Sequence, residues 1–349
     1  MKPFYDPSLS YEDNYSAGPF GAFAKLPDTQ VNNAALHKKF AGFDVNSTIG
    51  IPAGPLLNSK FIQAAFAYGF DLCIYKTVRS RAYACLPFPN ILRVDVAGNL
   101  QAGDTLTAQP APVLAQKEAF SITNSFGVPS QKPEVWQPDM QKALALAGKG
   151  QMMIASFQGT GEGEEQVNDY ARTARMVVET GAQVLEANLS CPNEGKSGLL
   201  CFDVDKVVRV VEKIRAEIGD RPLMLKMGHF TDNAVLEKFV QQLGGKVQGL
   251  CAINTLPATV LDQQGNWALP GRETSGICGE SIRWAGLDMA GRLKSLRTHF
   301  KMNFEIVAGG GVFTPADDAA YRTAGADAVM TATGAMWNPH LAFDIKKEQ

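Results

Sequence analysis

The chain predicts an α/β fold: a closed (β/α)8 TIM barrel with inserted strands and loops over its C-terminal face. Three observations predict it. Short apolar runs recur along the chain, with helical patterns between most of them, which is the order of a parallel barrel. The 349 residues leave room for one such barrel and additions. No G-x-G-x-x-G follows the first apolar run, which removes the main argument for a doubly wound open sheet.

The elements follow in order. Residues 1–45 are rich in Pro, Tyr, Phe and Asn with weak periodicity, and read as an N-terminal arm packed on the body. The barrel is expected over 46–349 as a single unit. Strands are expected near 48–53, 71–77, 151–157, 182–189, 222–227, 248–254, 304–309 and 326–331. Helices are expected at 59–69, 135–148, 165–180, 203–218, 232–244, 282–299 and 315–324, with a last one near 338–347. The stretch of about 78–150 exceeds a simple crossover and carries prolines at 87, 89, 110, 112, 129, 133 and 138. It is expected to insert strands and loops over the barrel mouth, where long ordered insertions are usually functional. Gly159-Thr160-Gly161-Glu162-Gly163-Glu164-Glu165 is glycine-rich but acidic, so it reads as a strand-to-helix loop rather than a phosphate cradle.

Composition excludes several functions. Net charge is −2 and the pI about 6.1, so broad binding to a phosphate backbone, and hence to nucleic acid, is not expected. Residues 1–45 hold no apolar run of the length that a signal peptide or membrane span needs, and the protein is expected to be soluble and cytoplasmic. The six cysteines (73, 85, 191, 201, 251, 278) form no C-x-x-C pair, and the four histidines (37, 229, 299, 340) show no metal spacing, so no metal is expected. Cys201 and His229 read as structural. No G-x-S-x-G elbow is present.

Barrel active sites gather at the C-terminal ends of the strands, so the residues ending each strand matter most. Two strands end in lysine, at Tyr75-Lys76-Thr77 and Leu225-Lys226-Met227. An ammonium entering the barrel is costly unless it snorkels to solvent or serves an anion, a Schiff base or an electron-poor ring. The fourth strand runs into Asn188-Leu189-Ser190-Cys191-Pro192-Asn193. With Asn124 and Asn254 the mouth would carry four asparagines, whose amides donate and accept at once and so suit a heterocycle with alternating C=O and N–H groups. Glycines 309–311 and the run Thr331-Ala332-Thr333-Gly334 follow the seventh and eighth strands, the usual phosphate site of this fold. Ser275–Ser281 precedes the helix at 282 and would add donors.

These blocks resemble the class 1 dihydroorotate dehydrogenases, and more broadly the flavin barrels that include the dihydropyrimidine dehydrogenase domain. The resemblance spans about 48–340 and rests on Ile74-Tyr75-Lys76-Thr77, Asn124-Ser125-Phe126-Gly127, Asn188–Asn193, Asn254-Thr255 and the glycine loops 276–279, 309–311 and 331–334. It implies FMN as cofactor, with its phosphate on Gly309, Gly310, Gly311, Thr333 and Gly334 and with Gly279 nearby. Ala53, Gly54, Lys76, Thr77, Asn188, Lys226 and Asn254 would also contact it, and Lys226 would stabilise its reduced form near N1 and O2. Asn124, Asn188, Asn193 and Asn254 would hold the pyrimidine, with Lys76 and Thr255 close by. Cys191 would be the catalytic base that removes the C5 proton of dihydroorotate, while the C6 hydride goes to flavin N5. The family further implies an external acceptor, either fumarate, with a homodimer, or NAD through a partner subunit. The residues leave open whether the bound ring carries a carboxylate, so another dihydropyrimidine such as dihydrouracil is the alternative. More remote are a Schiff-base lyase on a phosphosugar and a flavin enzyme reducing a uridine in tRNA.

Overall fold

The computed structural model describes residues 2–27, 38–109, 119–190 and 199–349. Among these described residues fifteen strands appear in order. They are β1 (Lys38–Phe40), β2 (Phe43–Val45), β3 (Ile49–Ile51), β4 (Leu72–Val78), β5 (Ile91–Val94), β6 (Thr105–Thr107), β7 (Ser121–Asn124), β8 (Met152–Phe157), β9 (Val184–Asn188), β10 (Leu223–Met227), β11 (Gly249–Ala252), β12 (Leu256–Leu261), β13 (Ser275–Gly279), β14 (Glu305–Gly309) and β15 (Ala328–Met330). Eight of them close a barrel in the order β10-β11-β14-β15-β3-β4-β8-β9, and every neighbouring pair is parallel. Seven of the barrel strands fall inside the expected apolar runs, and β4 extends one residue past its run, to Val78. Both faces of a parallel strand are covered, so β4, β8, β9 and β10 are buried at every position.

The helices are α1 (Tyr11–Ala17), α2 (Ser59–Ala67), α3 (Pro133–Ala145), α4 (Gly163–Glu179), α5 (Val204–Ile218), α6 (Asn233–Leu243), α7 (Arg283–His299), α8 (Pro315–Ala324), α9 (Thr333–Trp337) and α10 (Leu341–Lys347). Their starts are written locally. Asp203 caps α5 through the Lys206 N–H, and Asp232 caps α6 through the N–H groups of Ala234 and Val235. Thr314 and Asp317 form a capping box at α8, with Pro315 in its first turn. On α5 the buried Val204, Val207, Val211, Ile214 and Ile218 recur at helical spacing and face the barrel. The helix expected at 338–347 starts only at Leu341. Asn338 precedes Pro339 and is extended, which separates α10 from the short α9.

Three additions surround the barrel. The β1–β2 hairpin leads into β3, and its Phe40 and Val45 pack against Leu72, Met152, Val184 and Met224, residues at the N-terminal ends of their strands. It therefore plugs the lower end of the barrel. Over the opposite end lies a second sheet, β5-β7-β13-β12-β6. Its β5, β6 and β7 come from the expected insertion; β12 and β13, which follow β11, had no counterpart in the sequence reading. Ser275–Gly279, expected as a donor loop, is the strand β13, pairing with both β12 and β7. The N-terminal residues also reach the upper end. The Phe4 N–H donates to the Met336 carbonyl at 3.1 Å, and the Phe4 ring stacks on Phe23 with centroids 4.4 Å apart.

Candidate active site

One cavity opens where the C-terminal ends of the barrel strands meet the cap sheet. All the described residues expected at the site line it: Ala53, Gly54, Lys76, Thr77, Asn124, Asn188, Lys226, Asn254, Thr255, Gly279, Gly309, Gly310, Gly311, Thr333 and Gly334. Cys191 and Asn193 lie outside the described residues. Tyr5 and Tyr11, from the N-terminal segment, line the cavity too, and both pack edge-on against Phe126, at 5.7 and 6.2 Å.

The asparagines are held in fixed orientation. Asn188, the last residue of β9, donates from Nδ2 to Gln158 Oε1 at 2.8 Å. Its Oδ1 accepts from the Ser190 N–H at 3.2 Å and the Ser190 hydroxyl at 3.1 Å. Asn254, just past β11, donates from Nδ2 to the Ser190 carbonyl at 2.9 Å and to its hydroxyl oxygen at 3.1 Å. Ser190 thus couples two amides from different strands. Asn124 ends β7 in the cap and donates from Nδ2 to Cys278 Sγ at 3.2 Å, while Thr333 donates to the same sulfur at 3.5 Å. Burial pushes the Cys278 thiol up, and those two bonds partly offset the effect.

The lysines sit as their strand-end positions require. Lys76 and Lys226 are each 8% exposed despite their charge. The Lys76 N–H donates to the Leu56 carbonyl at 3.0 Å, which fixes the end of β4 against the loop after β3. Lys226 stands opposite Asn188 on one side and Cys251 on the other. Below them Glu186 of β9 is 1% exposed and also lines the cavity. The Cys251 thiol is pushed well up, first by burial and then by the Glu186 carboxylate, with Lys226 acting in the opposite direction.

The glycine loops form a close-packed cradle. A side chain at Gly334 would bring Cβ within 2.1 Å of the Val312 carbonyl oxygen. At Gly311, where φ is +67°, Cβ would come within 2.8 Å of the Gly279 carbonyl oxygen. The loops after β14 and β15 therefore touch backbone to backbone. Tyr321 of α8 donates its hydroxyl to the Gly310 carbonyl at 2.7 Å and fixes that loop from behind.

Sequence reasoning missed the groups that hold this lining. Arg79, fully buried, donates from Nε to the Val128 carbonyl at 2.9 Å, from Nη2 to the Gly127 carbonyl at 3.3 Å and from Nη1 to Thr160 Oγ1 at 3.1 Å. Arg272 donates from Nη2 to the carbonyls of Pro87, Pro89 and Ser125. A single arginine before or after a loop carries no spacing signal. The aromatic richness of residues 1–45 was the one available hint of Tyr5 and Tyr11. Cys201 is fully buried with its thiol pushed up to about 12, and His229 pairs with Asp288 at 3.1 Å on the flank of α7. A cavity with an amide cluster, two ammonium groups and a backbone cradle can hold a flat polar ring system joined to a phosphate.

Comparisons with known proteins converge. A family model described as dihydroorotate dehydrogenase matches residues 35–348. A dihydroorotate dehydrogenase of Dictyostelium discoideum is 34% identical over 356 residues, covering 98% of this chain and 96% of that protein. A dihydroorotate dehydrogenase A (fumarate) of Lactiplantibacillus plantarum is 30% identical over 68% of this chain and 74% of its own. A dihydroorotate dehydrogenase B (NAD(+)), catalytic subunit, of Oceanobacillus iheyensis is 28% identical over the same shares. Among solved structures, a DHODH from Eimeria tenella in complex with ferulenol superposes with a TM-score of 0.69 at 17% identity, covering 88% of this chain and 81% of that one. That likeness shows the fold.

Proposed function

The chain belongs to the dihydroorotate dehydrogenase family, and from that premise we propose that it oxidises dihydroorotate to orotate in pyrimidine biosynthesis, as a class 1 enzyme with FMN. The observation that carries this reading is the gathering, in one cavity within the family match, of the amides, lysines and glycine loops that such a reaction needs. The family is flavin-dependent, and the lining fits FMN: the cradle of Gly310, Gly311 and Gly334 suits its phosphate, and Lys226 suits the pyrimidine edge of its ring. When bound, FMN supplies the hydride acceptor.

The chain's own residues do the rest. Asn124, Asn188, Asn193 and Asn254 present amides to the substrate ring, with Lys76 and Thr255 beside them. Asn188 and Asn254 are oriented before substrate arrives, because Gln158 and Ser190 already hold them. Cys191, one residue past Ser190, takes the C5 proton as thiolate. The cap sheet excludes water. The acceptor is external, as the relatives named for fumarate and for NAD(+) indicate. We place the enzyme in the cytoplasm; no helix among the described residues is long and apolar enough to cross a membrane. A homodimer using fumarate and a complex passing electrons to NAD through a second subunit are separated by gel filtration and by turnover with each acceptor.

The decisive test is the visible spectrum. The purified protein should be yellow, and anaerobic dihydroorotate should bleach it far faster than dihydrouracil does. A colourless protein, or one bleached only by dihydrouracil, sinks the reading. Free thiols titrate near ~8.5 and only the thiolate accepts a proton, so bleaching should accelerate as pH rises from about 6 towards the thiol pKa. Cys191→Ala should abolish the reaction, and Cys191→Ser should retain a fraction of it, shifted to higher pH. A flat pH profile, or full activity in Cys191→Ala, refutes the assignment of the base.

A further inference from the structure

Glu186 is the least expected residue of the cavity. It lies on β9 two positions before Asn188, so both side chains point into the barrel. It is 1% exposed and lines the cavity, yet neither carboxylate oxygen meets a hydrogen-bond partner. A buried, unpartnered carboxyl works against folding. The neighbouring Cys251 thiol is the donor nearest to it and feels its charge, but an S–H is a weak donor and leaves the carboxyl largely unsatisfied. Lys226, on the strand between β9 and β11, acts on the same thiol with the opposite sign. The ammonium of Lys226 makes no ion pair among the described residues. The floor of the cavity thus holds a carboxyl on β9 and an ammonium on the adjacent β10, with the thiol of β11 next to Lys226, and both charged residues line the space above.

We propose that Glu186 is a positioning residue that offsets the charge of Lys226 at the cavity floor and so lowers the reduction potential of the flavin bound there. This rests on the reading that FMN occupies the cavity with Lys226 at its pyrimidine edge. An unopposed ammonium at that edge favours the electron-rich reduced ring; a carboxylate one strand away weakens that preference. The carboxyl therefore limits how tightly electrons are held, which suits an enzyme that must hand them on to an external acceptor.

The test is Glu186→Gln, which keeps shape and removes charge, with Glu186→Leu as a second neutral variant in case the amide fails to fold. Potentials are measured by equilibration with redox dyes, and sulfite affinity by loss of the flavin's visible band, since sulfite also prefers a ring facing positive charge. Neutral variants should favour the reduced form about tenfold, a positive shift of ~30 mV for a two-electron couple, and bind sulfite about tenfold more tightly. A folded, flavin-loaded neutral variant with wild-type potential and sulfite affinity overturns the proposal. A wild-type protein that binds no flavin overturns the functional reading instead.

Discussion

Ser190 shows how much a site depends on residues with no chemistry of their own. Its hydroxyl donates to Asn188 and accepts from Asn254, and its backbone holds both amides a second time. Ser190→Ala removes the hydroxyl and leaves the backbone bonds. One hydrogen bond contributes about 1 kcal/mol, so global stability should change little. The amides would gain rotational freedom, and kcat/KM for dihydroorotate should fall about five- to tenfold with flavin content intact; steady-state kinetics on the loaded enzyme would read this. Asn124, Asn188 and Asn254, which line the cavity, were legible in the sequence because each stood at a predicted strand end or beside a turn motif. Ser190 and Glu186 were not. A serine in a turn and a glutamate in a strand are ordinary, and only the folded barrel shows one between two amides and the other buried without a partner.

At the scale of elements, the barrel strands were legible one by one, while the cap was legible only as an insertion over the mouth, without its individual strands and without β12 and β13. Parallel strands buried on both faces read as continuous apolar runs, as in Leu72–Val78 and Val184–Asn188. The cap strands are mostly short, and β12 opens with the exposed Pro257 at its second position, so it reads as loop. Arg79 joins the two layers. It follows the end of β4 and hydrogen-bonds the carbonyls of Gly127 and Val128 beyond β7, with Thr160 on the loop after β8. Lysine carries one compact ammonium and cannot span three acceptors in that fork geometry. Arg79→Lys should leave at least one buried carbonyl unpartnered and cost about 1–3 kcal/mol in denaturant unfolding. Because Gly127 and Val128 line the cavity, KM for dihydroorotate should rise by about tenfold while the protein remains yellow. An unchanged KM would mean that the cap loop keeps its shape without the guanidinium.

At the scale of the whole molecule, stability and chemistry are sited at opposite ends of the barrel. The upper end carries the features that face the cavity at a cost: two buried lysines and an unpartnered carboxyl. The lower end is closed by the β1–β2 hairpin, whose Phe40 is fully buried in a cluster with Leu72, Met152 and Met224. In this architecture the lower end is expected to contribute stability and the upper end function. Phe40→Ala separates the two. Deleting a buried phenyl ring costs about 3–5 kcal/mol through lost transfer energy and the cavity left behind. That should appear as a lower denaturant midpoint with an unchanged slope. Phe40 sits on the hairpin at the N-terminal ends of the strands and does not itself line the cavity, so kcat, KM and the flavin spectrum should stay within twofold of wild type well below the melting temperature. A Phe40→Ala enzyme that stays stable would show that the hairpin does not seal the core. One that stays folded but loses activity would show that packing at the floor sets the geometry of the mouth, and the division of labour along the barrel axis would fail.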